Sequence, residues 1–273
     1  MIAVIVPASN EADRIGACLS ALARSEPLSD PVHVVVAANG CADDTVDRAE
    51  AGREAVEARG WRLTVLDLPQ GGKPGALNAA DAATDAGIRV YLDADVTVSP
   101  SLLPQLAAHL AGTGARYASG RVRITGQGPV ARAYARTWGR VPFMSAGVPG
   151  CGLFAVNAAG RARWGAFPEI IADDAFVRLH FAPHERTLVA AHYDWPIAEG
   201  AGRLLRVRRR QDAGVREIAA RWPELMENED KGRLGARGAL RLFGRDPLSF
   251  GVYAGIGLLA RTLPAPATWS RGR

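Results

Sequence analysis

At 273 residues, with 48% hydrophobic and 22% charged side chains, the chain is long enough to bury a core in one large domain or two small ones. Its three widely spaced cysteines fit neither a disulfide framework nor a zinc-ligand spacing, so we expect reduced thiols. The formal net charge of +5 favours anionic partners such as diphosphates, acidic lipids or nucleic acid. The apolar run from Pro247 to Ala260 is shorter than the roughly 20 residues that a membrane-spanning helix needs.

Strand and helix signals alternate from the amino terminus to about residue 125. Continuous apolar and β-branched runs predict strands, and apolar positions at helical spacing predict the helices between them. The predicted strands are Ile2–Val6, Val32–Ala37, Leu63–Leu66 and Val90–Leu92, and the predicted helices are Glu11–Ala23, Asp44–Arg59, Gly75–Ala86 and Leu102–Ala111. This alternation predicts an α/β fold with a mostly parallel central sheet and helices on both faces.

The regular alternation ends near Ala115. Further on, the pattern predicts the strands Ala118–Thr125, Leu153–Val156 and Leu188–Tyr193, the helices Val130–Thr137 and Phe176–Phe181, and one or two basic helices over Ala201–Arg221. We find no clean linker. We therefore predict one α/β domain over residues 1–215, followed by a helical, amphipathic appendage over residues 216–273.

Two carboxylates one residue apart, Asp93 and Asp95, directly follow the apolar run Ile88–Leu92. In an extended strand both would point to the same side, with the small Ala94 between them. Oxygen ligands of this kind suit Mg²⁺ or Mn²⁺, ions that usually complete their coordination shell with substrate phosphate. A solvated turn is the alternative interpretation of the same tripeptide.

Other predicted strands end in polar residues, and the carboxyl ends of parallel strands share one edge of the sheet, where ligands lie. Pro7 cannot donate to a strand ladder, so we expect it to end the first strand and free the next turn to face a ligand. Asn10 and Glu11 follow it, with simple helix capping as their alternative role. Lys73 follows two glycines at a helix start, where it can contact an anion or remain a solvated lysine.

The second half of the chain adds further candidates, each of which also has a purely structural interpretation. Asp173 and Asp174 precede an amphipathic stretch, so they can be a helix N-cap and a first-turn acid, or Asp174 can act as the general base for an acceptor hydroxyl. Gly150 and Gly152 leave room for a sugar ring, or they form a simple turn. The run from Arg206 to Arg210 supplies planar guanidinium groups suited to diphosphate, or a solvated face.

Taken in chain order, these segments resemble the family-two glycosyltransferases of the GT-A fold, which are inverting enzymes that use nucleotide-sugar donors. The similar segments are Val4–Glu11, Asn39–Thr45, Gly71–Asn78, Asp93–Asp95, Asp173–Asp174 and Arg206–Gln211. The resemblance covers residues 2 to 215 and implies nucleotide-sugar binding in residues 1–125 and an acceptor side in residues 126–215. It departs at Ala37-Ala38, where the family commonly has an Asp that helps to bind the base, which leaves guanosine and thymidine donors open beside uridine.

The resemblance also assigns roles to individual residues. It implies metal binding by Asp93 and Asp95, with Mg²⁺ or Mn²⁺ as cofactor, and a general base at Asp174 with Asp173 as the other candidate. The implied nucleotide-sugar contacts are Pro7, Ala8, Asn10, Glu11, Asn39, Lys73, Asp93, Ala94, Asp95, Gly150, Gly152, Asp173, Arg206 and Arg209.

We therefore predict a metal-dependent, inverting glycosyltransferase that moves a sugar from a nucleotide-diphosphate donor to a hydroxyl of a glycan, lipid-linked or small-molecule acceptor. One alternative is a sugar-phosphate nucleotidyltransferase, whose basic, Gly-rich first loop is absent between Pro7 and Ile15. Another is a non-catalytic protein that binds anionic ligands or nucleic acid, but its arginine-rich last third lacks interleaved aromatic residues. We expect no nucleic-acid partner.

The expected location is the cytoplasm, with peripheral contact at the inner face of the membrane left open. Apolar residues between Phe243 and Leu259 are flanked by Arg241, Arg245 and Arg261. Such a segment is typical of an amphipathic helix at a membrane interface, or of packing against the core or a second subunit.

Overall fold

The computed structural model describes residues 1–232 and 234–262. Arg233 and residues 263–273, which fall in the predicted appendage, lie outside the described residues. The strands are β1 (Ile2–Ala8), β2 (Val32–Asn39), β3 (Arg62–Leu68), β4 (Ile88–Leu92), β5 (Thr97–Val98), β6 (Tyr117–Thr125), β7 (Leu153–Asn157) and β8 (Arg186–Pro196). The helices are α1 (Ala12–Ala23), α2 (Thr45–Ala51), α3 (Arg53–Glu57), α4 (Lys73–Ala82), α5 (Leu102–Leu110), α6 (Pro129–Trp138), α7 (Pro142–Ser145), α8 (Ala158–Arg161), α9 (Asp173–Leu179), α10 (Ala201–Arg221), α11 (Ala236–Arg245) and α12 (Pro247–Thr262).

Over these described ranges the strands form one eight-stranded sheet in the order β3-β2-β1-β4-β7-β6-β8-β5. The first four are parallel to one another, as are β6 and β8, while β7 runs antiparallel to both of its neighbours and β5 antiparallel to β8. The predicted α/β fold with a mostly parallel sheet is confirmed.

Hydrophobic clusters cover both faces of the sheet, because successive strand residues point to opposite sides. Along β1, Val4 and Val6 join the cluster that includes α1 and α5, whereas Ile5 joins the cluster that includes α4 and α9. Strands buried on both faces read as continuous apolar runs, which is why the sequence pattern located them.

Two local predictions need correction. The strand predicted to end at Pro7 continues to Ala8, which is possible because β1 pairs with β4 only as far as Ile5, leaving β2 as the one neighbour there among the described strands. The helix predicted over residues 44–59 is divided at Gly52 into α2 and α3. A Cβ at Gly52 would stand 2.7 Å from the Leu19 side chain, so a glycine permits this close approach to α1.

The carboxyl-terminal part is helical, as predicted. Helix α10 is one continuous helix, and it runs through residue 215, the predicted domain boundary. Helix α12 packs on α6 and α10 through a small cluster in which Ile256 meets Tyr134 and Leu204. Within the described ranges, no helix combines the length and apolarity needed to span a membrane.

Candidate active site

A small pocket opens where β1 and β4 end, at the carboxyl edge of the parallel strands. Seven of the predicted site residues line it: Pro7, Lys73, Asp93, Gly150, Gly152, Asp173 and Asp174. They come from both halves of the chain, so the fold brings the predicted donor and acceptor sides together at one point. Of the remaining predicted residues in the described part of the chain, Ala8, Asn10, Glu11, Asn39, Ala94, Asp95, Arg206 and Arg209 do not line this pocket.

Lys73 is the electrostatic centre of the pocket. Its Nζ lies 2.8 Å from Asp93 Oδ1 and 2.9 Å from Asp173 Oδ2. Burial alone would lower the pKa of Lys73, but the carboxylates of Asp173 and Asp93 outweigh it and raise that pKa above its usual value. Lys73 is therefore charged at neutral pH, and it joins the Asp-x-Asp segment to the second acidic pair.

Asn39 explains how Lys73 is placed. This buried side chain donates from Nδ2 to the Ala8 carbonyl at 2.8 Å and accepts the Gly72 N–H at 2.9 Å through Oδ1. Gly72 has φ of 145°, a conformation that L side chains rarely adopt, and it directly precedes α4. The amide of Asn39 thus fixes the turn from which Lys73 projects, rather than lining the pocket itself.

The expectation that both carboxylates point to the same side assumed that the strand continues through Asp93, Ala94 and Asp95. It does not continue. The Val96 N–H donates to the Asp93 carbonyl at 3.0 Å, so the segment forms a turn after β4. The Asp93 side chain is 30% exposed and faces the pocket, while Asp95 is buried. Within the described residues, the turn therefore presents one of the two predicted carboxylates to the pocket.

Asp173 and Asp174 occupy the first turn of α9, where the helix dipole favours negative charge. The N-cap is Ala172, so neither aspartate occupies that position. Asp174 is nevertheless a first-turn acid, and its Oδ1 accepts the Ala175 N–H at 2.7 Å. Burial, followed by repulsion from Asp173, raises the pKa of Asp174 from 3.8 to about 6, against the opposing effect of Lys73. The two neighbours therefore differ: Asp173 is paired with Lys73, and Asp174 holds its proton more tightly than an ordinary carboxylate.

The loop around Gly150 and Gly152 needs glycine for two reasons. Both residues have positive φ, 69° and 73°, in the left-handed region that disfavours side chains. A Cβ at Gly150 would also collide with the Tyr117 hydroxyl, and one at Gly152 would lie 2.8 Å from Trp195 Cδ1. The glycines thus let the pocket wall lie close to the buried Tyr117 ring and the half-buried Trp195 ring.

The turn after β1 is tied to the start of α2. Asn10 has φ of 56° and accepts the Ala42 N–H at 2.8 Å, and the Glu11 N–H donates to Thr45 Oγ1 at 2.8 Å. Glu11 is the N-cap of α1, yet its side chain makes no capping bond to the described helix. Asn10 therefore joins two loops at the sheet edge. At the N-cap position of α1, Glu11, the structure shows no side-chain capping bond.

Arg206 and Arg209 project from α10. Arg206 is exposed and Arg209 is half-buried. Helix α10 lies beside the acidic pair, because a Cβ at Gly214 would stand 2.8 Å from the Ala172 side chain. The helix is thus a wall next to Asp173, with its arginines outside the pocket itself.

The chemistry of the carboxylates decides whether a divalent cation fits. Among the residues that the structure describes, no three His, Cys, Asp or Glu side chains group into a metal site made by protein alone. Mg²⁺ and Mn²⁺ do not need one, because they are commonly held by one or two carboxylates plus substrate phosphates and water. The hard carboxylate oxygens of Asp93, which faces the pocket, fit that pattern, and Asp95 lies buried on the same turn.

Four apolar residues that line the pocket were not predicted: Leu77, Tyr91, Leu92 and Phe154. Leu77 is four residues after Lys73 on α4, and Tyr91 is two residues before Asp93, so helix and strand periodicity place them on the same faces. Phe154 pairs with Tyr91 across β4 and β7, and the rings stack at 4.8 Å. Only the first two had a signal in the sequence, because the pairing of β7 with β4 is long-range.

Solved structures share this fold. TarS from Staphylococcus aureus, residues 1–349 in complex with UDP, is similar over 96% of this chain and 75% of its own, with 14% identity and a TM-score of 0.57. The mannosyltransferase PcManGT from Pyrobaculum calidifontis, in complex with GDP-Man and Mn²⁺, is similar over 97% and 76%, with 20% identity and a TM-score of 0.57. Glucosyl-3-phosphoglycerate synthase from Mycobacterium tuberculosis, in complex with Mn²⁺, UDP and glucosyl-3-phosphoglycerate, is similar over 81% and 79%, with 21% identity and a TM-score of 0.53.

A search of curated protein sequences gave no match. Residues 3–161 match the model of a protein family described as Glycosyl transferase family 2, which is more than half of the chain. The match includes helix α4, which begins at Lys73, and strand β4, which Asp93 follows, and it decides against the nucleotidyltransferase and the non-catalytic binding protein. The chain therefore belongs to glycosyl transferase family 2 and is a glycosyltransferase with the GT-A fold.

Proposed function

We propose that this enzyme transfers a sugar, with inversion and with the help of a divalent cation, from a nucleoside-diphosphate donor to an acceptor hydroxyl. The observation that carries the proposal is the cluster of Lys73, Asp93, Asp173 and Asp174 in one pocket at the carboxyl edge of the sheet. A cation and a diphosphate need opposite charges close together, and this cluster offers both.

The donor side of the site is assigned to residues 1–125. Asp93 and Asp95 would hold Mg²⁺ or Mn²⁺, which neutralises charge on a departing diphosphate. Lys73, fixed by Asn39 and Gly72, would bind the same diphosphate. The replacement of the usual base-binding Asp by Ala37-Ala38 leaves guanosine, thymidine and uridine donors to be distinguished by experiment.

The acceptor side is assigned to residues 126–215, with the helical appendage after it. Asp174 would accept the proton of the acceptor hydroxyl, whose oxygen then attacks the anomeric carbon from the side opposite the diphosphate. One such displacement inverts the configuration at that carbon. A pKa near 6 suits a base at neutral pH, because Asp174 is then ionised yet more basic than an ordinary carboxylate. Asp173 would keep Lys73 in position.

The remaining predicted contacts are assigned according to whether they line the pocket. Pro7, Gly150 and Gly152 form pocket walls that admit the donor sugar. Arg206 and Arg209 on α10 would bind the donor only when it extends beyond the pocket, and Asn39 acts by positioning the loop. Mutation of α10 arginines should therefore weaken donor binding less than mutation of Lys73.

Donor binding is the first test. Thermal unfolding is measured with UDP, GDP and dTDP, each with and without Mn²⁺, because a ligand stabilises the folded state according to its affinity. We expect one base to raise the midpoint more than the others, and more with Mn²⁺ than without it. Asp93→Asn should remove the Mn²⁺-dependent part of the shift, whereas the exposed Asp85→Asn should not.

Transfer is the second test. The matching nucleotide sugar is incubated with a panel of glycan, lipid-linked and small-molecule acceptors, and release of nucleoside diphosphate is measured together with the anomeric configuration of the product. We expect an inverted product and a loss of about 10²- to 10⁴-fold in kcat for Asp174→Asn. Full activity of Asp174→Asn would overturn the role of Asp174, and a product of retained configuration would overturn the inverting mechanism.

A further inference from the structure

Large apolar side chains are exposed in one region of the enzyme, the helix pair α11 and α12. Leu240, Phe243, Leu248, Leu258 and Leu259 have exposed fractions of 71%, 49%, 83%, 63% and 46%. Elsewhere in the described ranges, Met1 at the chain start is the one other large apolar residue that is exposed. Such a concentration marks an interaction surface rather than scattered surface residues.

Helix α11 is amphipathic and contributes no side chain to the described core. Leu240 and Phe243 are three residues apart and therefore share one face. Arg237, Arg241 and Arg245 are spaced by four residues and share the face next to it. The Phe243 ring also meets Phe250 of α12 at 6.1 Å, so the apolar face of α11 continues onto α12.

Helix α12 has no charged residue from Pro247 to Ala260. Its inner face is covered, because Ser249 and Ile256 are buried against the rest of the enzyme. Leu248 and Leu259 lie to one side of that buried stripe and stay exposed. A helix that is apolar all round usually has both faces covered, so the outer face of α12 is suited to a partner.

The charge of the pair points to an anionic partner. Arg237, Arg241, Arg245 and Arg261 are exposed and form no ion pair with any described residue. Asp246, the acidic residue between the two helices, pairs with Arg136 at 3.2 Å and accepts the Ser249 N–H at 3.1 Å. The helix pair thus presents four unneutralised cations beside exposed apolar side chains.

We propose that α11 and α12 bind the surface of an anionic phospholipid membrane, with the exposed apolar side chains among the headgroups and upper acyl chains. Apolar side chains on one face and arginines on the other are the combination that binds such surfaces. A second copy of the chain fits less well. A two-fold contact places the same patch on both subunits, so the unpaired arginines of α11 and α12 would gather at one interface.

A chain of aromatic rings joins this surface to the active site. Tyr253 of α12 meets Tyr134 at 5.3 Å, Tyr134 meets Trp138 at 5.4 Å, and Trp138 meets Trp195 at 5.4 Å. Trp195 packs against Gly152 in the pocket wall. The helix pair α11 and α12 is thus packed in continuous contact with the pocket wall at Gly152.

Co-sedimentation with vesicles tests the proposal on the full-length enzyme. Vesicles of phosphatidylcholine alone are compared with vesicles that also contain phosphatidylglycerol. We expect binding to the mixed vesicles, and a loss of about tenfold for each of Phe243→Ser and Leu248→Ser, from the apolar area kept out of water. Arg241→Gln and Arg245→Gln should each weaken binding about fivefold.

A matched control distinguishes binding through the α11 and α12 surface from a general effect of the protein's net charge. The double variant Arg24→Gln and Arg62→Gln removes two exposed arginines elsewhere, so it should bind vesicles as the wild type does. The proposal is overturned by equal binding to both vesicle types or by a dimer in light scattering that Phe243→Ser dissociates. It is also overturned if the control double variant loses as much binding as a double variant of Arg241→Gln and Arg245→Gln. The midpoint of thermal unfolding without vesicles reports folding of every variant. If wild-type enzyme binds vesicles but no nucleotide sugar, the proposed function fails and this surface stands.

Discussion

The substitution Asp174→Asn should remove transfer activity and at the same time stabilise the fold. Asp174 is ionised at neutral pH although burial and repulsion from Asp173 both oppose its charge. A carboxamide of the same shape carries no charge, so these two costs disappear. Removing a catalytic group can stabilise a protein when that group costs folding free energy in the native state.

The size of this stabilisation and its dependence on pH follow from proton linkage. The pKa of Asp174 is raised from 3.8 in the unfolded chain to about 6 in the folded enzyme, so the folded state binds more protons between these values. The free energy of unfolding therefore falls as pH rises through this window. The difference in pKa corresponds to about 3 kcal/mol. We expect Asp174→Asn to be more stable than the wild type by up to that amount at pH 8, and by about 0.5 kcal/mol at pH 4.

Asp81→Asn is the matched control, because it makes the same chemical change in a carboxylate with favourable partners. Asp81 lies 3.0 Å from Arg89 Nε and 2.9 Å from Arg161 Nε, and its side chain is 8% exposed. Its loss leaves two arginines unneutralised, so the variant should be destabilised by about 3 kcal/mol. Urea unfolding of the three proteins at pH 4 and pH 8 measures both effects. An Asp174→Asn variant that is no more stable than the wild type at pH 8 would refute this account of the site.

Three further expectations follow from the geometry of the pocket. In the free enzyme, kcat/KM should fall as pH decreases through about 6, because the base must be ionised, and a flat profile from pH 5 to 8 would contradict the role of Asp174. Lys73→Met should raise the KM for the nucleotide sugar about tenfold or more, since a charged contact to diphosphate is lost, while the α10 variant Arg206→Gln should change it less. Gly152→Ala should lower the free energy of unfolding by about 1–3 kcal/mol, because φ is 73° and the new Cβ would meet Trp195. Gly165→Ala, which has open space around it, should change that free energy little. Urea unfolding measures both variants.

Local sequence patterns predicted most of the fold because buried parallel strands are apolar along their whole length. Strand β5 and the short helices α7 and α8 were missed, since two to four residues show no periodicity. The division of the second helix at Gly52 depends on contact with Leu19, which no local pattern encodes. Continuation of the first strand past Pro7 depends likewise on where β4 stops pairing.

The site was predicted as separate motifs, and the structure supplies their connections. Sequence spacing could not reveal that Lys73 bridges Asp93 and Asp173, because the three residues belong to distant segments. Nor could it reveal that Asp95 is buried while Asp93 faces the pocket, since the strand was expected to continue instead of turning. Residue types are visible in a sequence, whereas burial and pairing depend on the sheet order.

The raised pKa of Asp174 and the affinity for a cation have one physical origin. The pocket places three carboxylates, Asp93, Asp173 and Asp174, around one ammonium group, Lys73, so negative charge is in excess. That excess destabilises the folded enzyme, and it is also what attracts a divalent cation to oxygen ligands. Neutralising Asp174 should therefore weaken Mn²⁺ binding as well as stabilise the fold. Neutralising Asp85, outside the pocket, should do neither, so the two effects must appear together or the electrostatic account fails.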